Sequence, residues 1–142
     1  MRIMAIDYGD ARTGVAVSDE TATLTGDAWV IHNRNSNIIA SGIIEEAKTR
    51  GVSQIVVGYP KNMDGTIGPR AEKCEDFAGL LRTICDIEII LRDERMTTIS
   101  ANRVLTETGR FGKKRKKTID AVAASIILEE YLAFLSYASN SV

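Results

Sequence analysis

Apolar positions cluster into short runs separated by turn residues, and their spacing assigns most of the chain. Ile3, Met4, Ala5 and Ile6 form a nearly continuous apolar run, which predicts a buried strand over residues 2–7. Gly9 and Asp10 mark a turn, and the alternation through Val15 and Val17 predicts a second strand over Thr13–Ser18, forming a hairpin. A third strand is expected over Ala28–His32. Ser36 is read as the N-cap of a helix through Arg50, with Ile39, Ile43 and Ala47 four apart and Gly51 ending it. Gln54–Val57 reads as a strand. Pro69 suits the first position of the next helix, whose apolar stripe is Cys74, Phe77, Ala78, Leu81 and Ile84. Ile87–Leu91 reads as a strand, and a helix is expected from Thr97 or Thr98 to Thr108, closed by Gly109. Thr118 is read as the cap of a last helix over 119–135.

Antiparallel strands thus come first and βα units later. That order predicts an α/β fold: a mixed five-stranded sheet flanked by helices on both faces. Right-handed crossovers would make the strands at 54–57 and 87–91 parallel to the first. Their ends would then share one edge with Asp7, where open α/β sheets hold ligands.

With 142 residues, 44% of them hydrophobic, the chain suits one core. A single domain is expected over 1–138, with 139–142 a frayed tail. No apolar run approaches a membrane span and no secretion signal opens the chain, so a cytoplasmic protein is expected. Cys74 and Cys85 follow neither a disulfide nor a zinc pattern and are read as free thiols. Net charge is −1, but residues 110–117 hold six basic side chains and no acid, which leaves −7 on the remainder.

This polarity changes the reading of the acids. Asp7 and the run Asp93-Glu94-Arg95 each follow a buried strand, and Asp120 opens the last helix just after the basic segment. Carboxylates held together repel, by about 4 kcal/mol per pair at ~4 Å and an effective dielectric of 20. Such a group calls for a proton, a basic side chain or a cation. All-oxygen ligands favour Mg²⁺ or Mn²⁺, and two such ions would activate a water and stabilise the leaving oxygen of a phosphodiester. Taken singly, each acid also has an ordinary reading: Asp7 as turn former, Glu94 as half of a surface ion pair, Asp120 as a first-turn acid. Spacing alone does not show that they converge.

Four blocks in order bring them together by resemblance. The segment Ala5-Ile6-Asp7-Tyr8-Gly9-Asp10-Ala11-Arg12-Thr13-Gly14-Val15-Ala16-Val17-Ser18-Asp19 resembles the opening signature of the YqgF/RuvX family. Gly58-Tyr59-Pro60-Lys61-Asn62-Met63-Asp64-Gly65-Thr66, Asp93-Glu94-Arg95-Met96-Thr97-Thr98 and Ile119-Asp120-Ala121-Val122-Ala123-Ala124 resemble its later motifs. Tyr59, Lys61 and Met96 depart from the usual pattern without touching a carboxylate. The resemblance implies a ribonuclease H-like fold and a metal-dependent nuclease with Asp7, Glu94 and Asp120 as catalytic metal ligands. It implies Mg²⁺ or Mn²⁺, two ions, as cofactor. Its substrates would be the 5′ end of pre-16S ribosomal RNA or, alternatively, a Holliday junction. A nucleic-acid-binding module without catalysis, acting in ribosome assembly or transcription, is the reading from a different class.

Lys113, Lys114, Arg115, Lys116 and Lys117 are read as phosphate contacts, in a loop reaching the active-site edge. Arg12 and Arg95 are candidates for the same role or for structural ion pairs. Structured RNA is the expected partner and branched DNA the alternative, on a monomer or a homodimer, with ribosome-assembly particles as a further partner and no membrane. The loop 60–68 is either a substrate loop or a connector. His32 reads as a surface residue, and Tyr8 and Trp29 as core or rim residues that would otherwise stack on bases. Asp7-Tyr8-Gly9 with Gly14 also has the shape of the phosphate hairpin of sugar kinases and actin-like ATPases. Those need two such lobes, and this length provides one.

Overall fold

The computed structural model describes residues 1–93 and 112–140, with side chains in the second segment described over 121–137. The elements are β1 (Arg2–Asp7), β2 (Arg12–Ser18), β3 (Thr25–His32), α1 (Ser36–Arg50), β4 (Val52–Tyr59), α2 (Pro69–Ile84), β5 (Glu88–Asp93) and α3 (Gly112–Asn140). The five strands form one sheet in the order β3-β2-β1-β4-β5. The pairs β1–β2 and β2–β3 are antiparallel, and β4 lies parallel to both β1 and β5. The mixed sheet expected from the element order is therefore the one observed.

Side chains alternate across a strand, so β1 serves two cores at once. Met4 and Ile6 join Val15, Ile55 and Val57 under α1 and α2, where Ile39, Ile43, Phe77 and Leu81 complete the larger cluster. Ile3 and Ala5 face the other way, with Ala16 and Val56, against Ala124, Ile127, Leu128 and Tyr131 of α3. Each fully buried Ile, Leu or Phe contributes about 1.5–3 kcal/mol relative to exposure, so Ile3 and Ile6 bind β1 firmly into both clusters. The Tyr131 hydroxyl donates to Gln54 Oε1 at 3.1 Å and ties α3 to the start of β4.

Strands run past their expected ends because the apolar criterion trims polar termini: β4 adds Gly58 and Tyr59, and β5 reaches Asp93. Asn35, not Ser36, caps α1; its side chain accepts from the backbone N–H of Asn37 and Ile38 at 2.9 and 3.2 Å. Asx and Ser caps are chemically equivalent, so the register of the first turn decides between them. Gly51 closes α1 at φ 70°, the left-handed conformation glycine adopts freely. The last helix differs most from expectation. It begins at Gly112, so 113–117 is helical rather than a loop, and Thr118 is interior rather than a cap. Lys and Arg are good helix formers, and no Gly or Pro interrupts residues 113–140. The helix expected over 97–108 lies outside the described residues.

Asn35→Ala should lower stability by about 1 kcal/mol in urea unfolding, and Ser36→Ala by no more than about 0.5 kcal/mol. A reversed order would assign the cap to Ser36.

Candidate nucleic-acid site at the sheet edge

Asp7 is the last residue of β1 and shares the parity of Ile3 and Ala5, so it belongs to the α3 face. Its strand partner on β2 is Gly14. The β1–β4 register, carried one residue past Ile6 and Val57, brings Gly58 to its other side. Glycine within a strand marks a place where another group approaches the backbone closely. The Asp7 carboxylate is only 14% exposed, and Oδ1 lies 3.8 Å from Nη2 of Arg70 on α2.

The chain turns sharply beyond Asp7. A Cβ on Gly9 would sit 2.3 Å from the Arg12 carbonyl oxygen, so only glycine fits there. The turn sends Asp10 outward, where its carboxylate accepts from Lys73 Nζ at 2.9 Å. That hydrogen bond and the lysine's charge hold the Asp10 carboxyl below its usual range, with Arg70 and Arg34 adding to the effect. The same hydrogen bond raises the Lys73 ammonium. Tyr8, Gly9, Asp10, Pro69, Arg70 and Lys73 line a cleft of about 240 Å³.

Tyr8 does not offer a free stacking face toward Phe77: the two rings are stacked at 4.1 Å and 12°. Burial, then the charge of Asp10, raises its hydroxyl pKa. Trp29 is half-buried under the guanidinium of Arg50, 4.6 Å from its ring centre, and His32 is exposed at the end of β3. The loop 60–68 is knit by its own hydrogen bonds, Asn62 N–H to Thr66 O at 2.9 Å and Thr66 N–H to Asp64 Oδ1 at 3.0 Å. Cys74 and Cys85 are free thiols, as expected.

Of the remaining residues read as functional, Arg12 opens β2 opposite His32. Glu94 and Arg95 lie outside the described residues, as do the side chains of Lys113, Lys114, Arg115, Lys116, Lys117 and Asp120, whose backbone is helical. Among the described residues no three His, Cys, Asp or Glu side chains form a ready metal site. What Asp7 supplies fits a hard divalent cation: an oxygen donor, mostly buried, with glycines beside it.

Arg70, Lys73 and Asp10 were not singled out by sequence reasoning. One signal was available. Arg70 is the second residue of α2 after Pro69, and a cation in the first turn opposes the helix dipole. A local rule broken at a sheet edge points to function.

The strand order and the two-faced packing define the class. Solved structures of similar fold include Thermus thermophilus RuvC, with TM-score 0.55 and 10% identity over 94% of this chain and 97% of that one. Another is the fowlpox virus resolvase in complex with Holliday junction DNA, with TM-score 0.54 and 11% identity over the whole of both chains. The fold is ribonuclease H-like. A family profile described as "RuvX: Holliday junction resolvase" matches residues 1–134, and the chain belongs to the RuvX family of nucleases. It is 46% identical over 137 residues to the "Putative pre-16S rRNA nuclease" of Halothermothrix orenii, covering 94% of this chain and 96% of that protein. It is 43% identical over 142 residues to the protein of the same name from Acetivibrio thermocellus, covering 93% and 95%.

The Tyr59 hydroxyl donates to the Glu75 carboxylate, and this bond, with burial and the charge of Glu75, pushes its pKa up to about 12. A raised tyrosine pKa stabilises the fold below the unfolded value near 10, and the contribution is lost as pH rises toward 12. Tyrosinate absorbance of the wild type should include a component titrating near 12, from Tyr59. Glu75→Gln should move it down toward 10; an unchanged titration would remove Glu75 as the cause.

Proposed function

We propose that this chain is a divalent-metal-dependent nuclease that hydrolyses the phosphodiester backbone at the 5′ end of pre-16S ribosomal RNA. The observation that carries the reading is Asp7: a mostly buried carboxylate ending the central strand, flanked by strand glycines on the α3 face. The family and the names of its similar members support it.

Asp7, Glu94 and Asp120 would be the ligands of one or two Mg²⁺ or Mn²⁺ ions. Position 120 lies one helical turn before Ala124, on the stripe that continues through Ile127, Leu128 and Tyr131. Tyr131 reaches Gln54 at the start of β4, so lower-numbered residues of α3 climb toward the edge where β1 ends. Glu94 follows directly on β5, one residue after Asp93, which pairs with Tyr59. Continuing the parity of Ile90 and Arg92 by one step would bring position 94 to the α3 face, whereas Asp93 belongs to the opposite parity.

Metal held by these residues would supply a nucleophilic water and offset charge on the leaving oxygen. The chain's part is to hold three like charges in register, which the rigid end of β1 and the first turns of α3 can do. Arg70, 3.8 Å away, partly offsets the charge of Asp7. The basic run 113–117, with Arg12 and Arg95, would add sequence-independent attraction for phosphates. No described helix is long and apolar enough to cross a membrane, and a cytoplasmic site of action follows from an RNA substrate.

The test is cleavage of an RNA spanning the 5′ boundary of pre-16S ribosomal RNA beside a four-way DNA junction, with Mg²⁺, Mn²⁺ or chelator. Metal-dependent cutting of the RNA is expected, lost at least about 100-fold in Asp7→Asn, with binding retained. Cutting of the junction alone would assign the chain to recombination, where a two-fold dimer cuts symmetrically. Binding without cutting would leave a non-catalytic module.

A further inference from the structure

The described cations near Asp7 lie on α2 and beside the first turn, on the side of the sheet away from α3. Arg70 touches Asp7, Lys73 touches Asp10, and Arg34 is close enough to act on Asp10. All three surround a single outward carboxylate, that of Asp10, whose side chain is 73% exposed. A solvent-exposed ion pair of this kind contributes little to stability, so its energetic worth does not explain the arrangement.

Arg70 stands against the helix dipole, and Lys73 lies one turn later on the same helix, about 5–6 Å further along its surface. The two therefore address neighbouring positions rather than one. The cleft they line opens onto Asp7's end of β1. It adjoins a second cleft, of about 270 Å³, that shares Tyr8 and Lys73 and continues to Ser36, Asp76 and Leu80. The groove so formed leads away from Asp7 along α2 as far as Leu80, past the start of α1 at Ser36.

We propose that Arg70 and Lys73, with Arg34 beside them, form a phosphate subsite for the nucleic-acid strand next to the scissile position, and that Asp10 occupies it when no strand is bound. This rests on the nuclease reading of Asp7. The backbone would cross the sheet edge from the basic start of α3, over Asp7, to the first turn of α2. Arg70 would contact the phosphate nearest Asp7, and Lys73 the next. Asp10 acts as a competing anion: the strand must displace it from Lys73.

The sign of that competition gives the test. Binding of a fluorescein-labelled single-stranded RNA is measured by anisotropy in chelator over a range of salt, with thermal melts of every variant. Arg70→Ala and Lys73→Ala should each weaken binding roughly 3- to 10-fold and reduce the slope of log affinity against log salt by about 0.7. Asp10→Asn should tighten binding, because it frees Lys73. Lys48→Ala, which removes the same charge at the opposite edge of the sheet, should change neither affinity nor slope. Wild-type affinity and slope in Arg70→Ala and Lys73→Ala, with or without a lowered melting temperature, would overturn the subsite and leave the nuclease reading intact. Weaker binding in Asp10→Asn would overturn its role as competitor. A wild-type protein that neither binds nor cuts nucleic acid would overturn both readings.

Discussion

Everything at the functional edge depends on the alternation of side chains along β1. Four consecutive residues, Ile3 to Ile6, are completely buried, two under each layer of helices. A strand gripped on both faces cannot slip: a shift of one residue would exchange the two cores and turn Asp7 to the wrong face. The position of one carboxylate is thus set by packing that is not itself catalytic. The flanking glycines leave room beside it, and the tight turn at Gly9 carries the chain away before it can cover the site.

The same geometry orders the electrostatics. A carboxylate that is mostly buried needs a nearby positive charge, and Arg70 provides one from α2 while the proposed ions would provide more. Arg70 and Lys73 stand at this edge, and the basic residues of 110–117 offset a sequence that is otherwise acidic. Overall charge therefore says little about the partner here, and its distribution says much.

Much of the fold was legible because its signals were periodic. The run at 3–6, the four-residue spacing in α1 and the stripe in α2 each had one sensible reading, and the mixed strand directions followed from antiparallel pairs preceding βα units. What was not legible depended on choices between chemically equivalent neighbours or on tertiary placement. Asn35 and Ser36 both make good caps. Thr118 looked like a helix start because charge runs are usually solvated loops, yet nothing in 113–117 breaks a helix. Asp7 was expected to end a buried strand, and it ends β1. Arg70 and Lys73 were not, because only the assembled sheet brings the start of α2 beside the end of β1.

The central claim is that Asp7, Glu94 and Asp120 meet at one edge and bind metal there. Paramagnetic broadening of backbone amide signals by Mn²⁺ tests it without needing a substrate. The account predicts that signals of Tyr8 and Gly58 and those around Glu94 and Asp120 broaden together at low Mn²⁺, and that Asp7→Asn abolishes the effect. Broadening centred instead on the acidic turns at Asp19 or Asp64, with the end of β1 untouched, would contradict it.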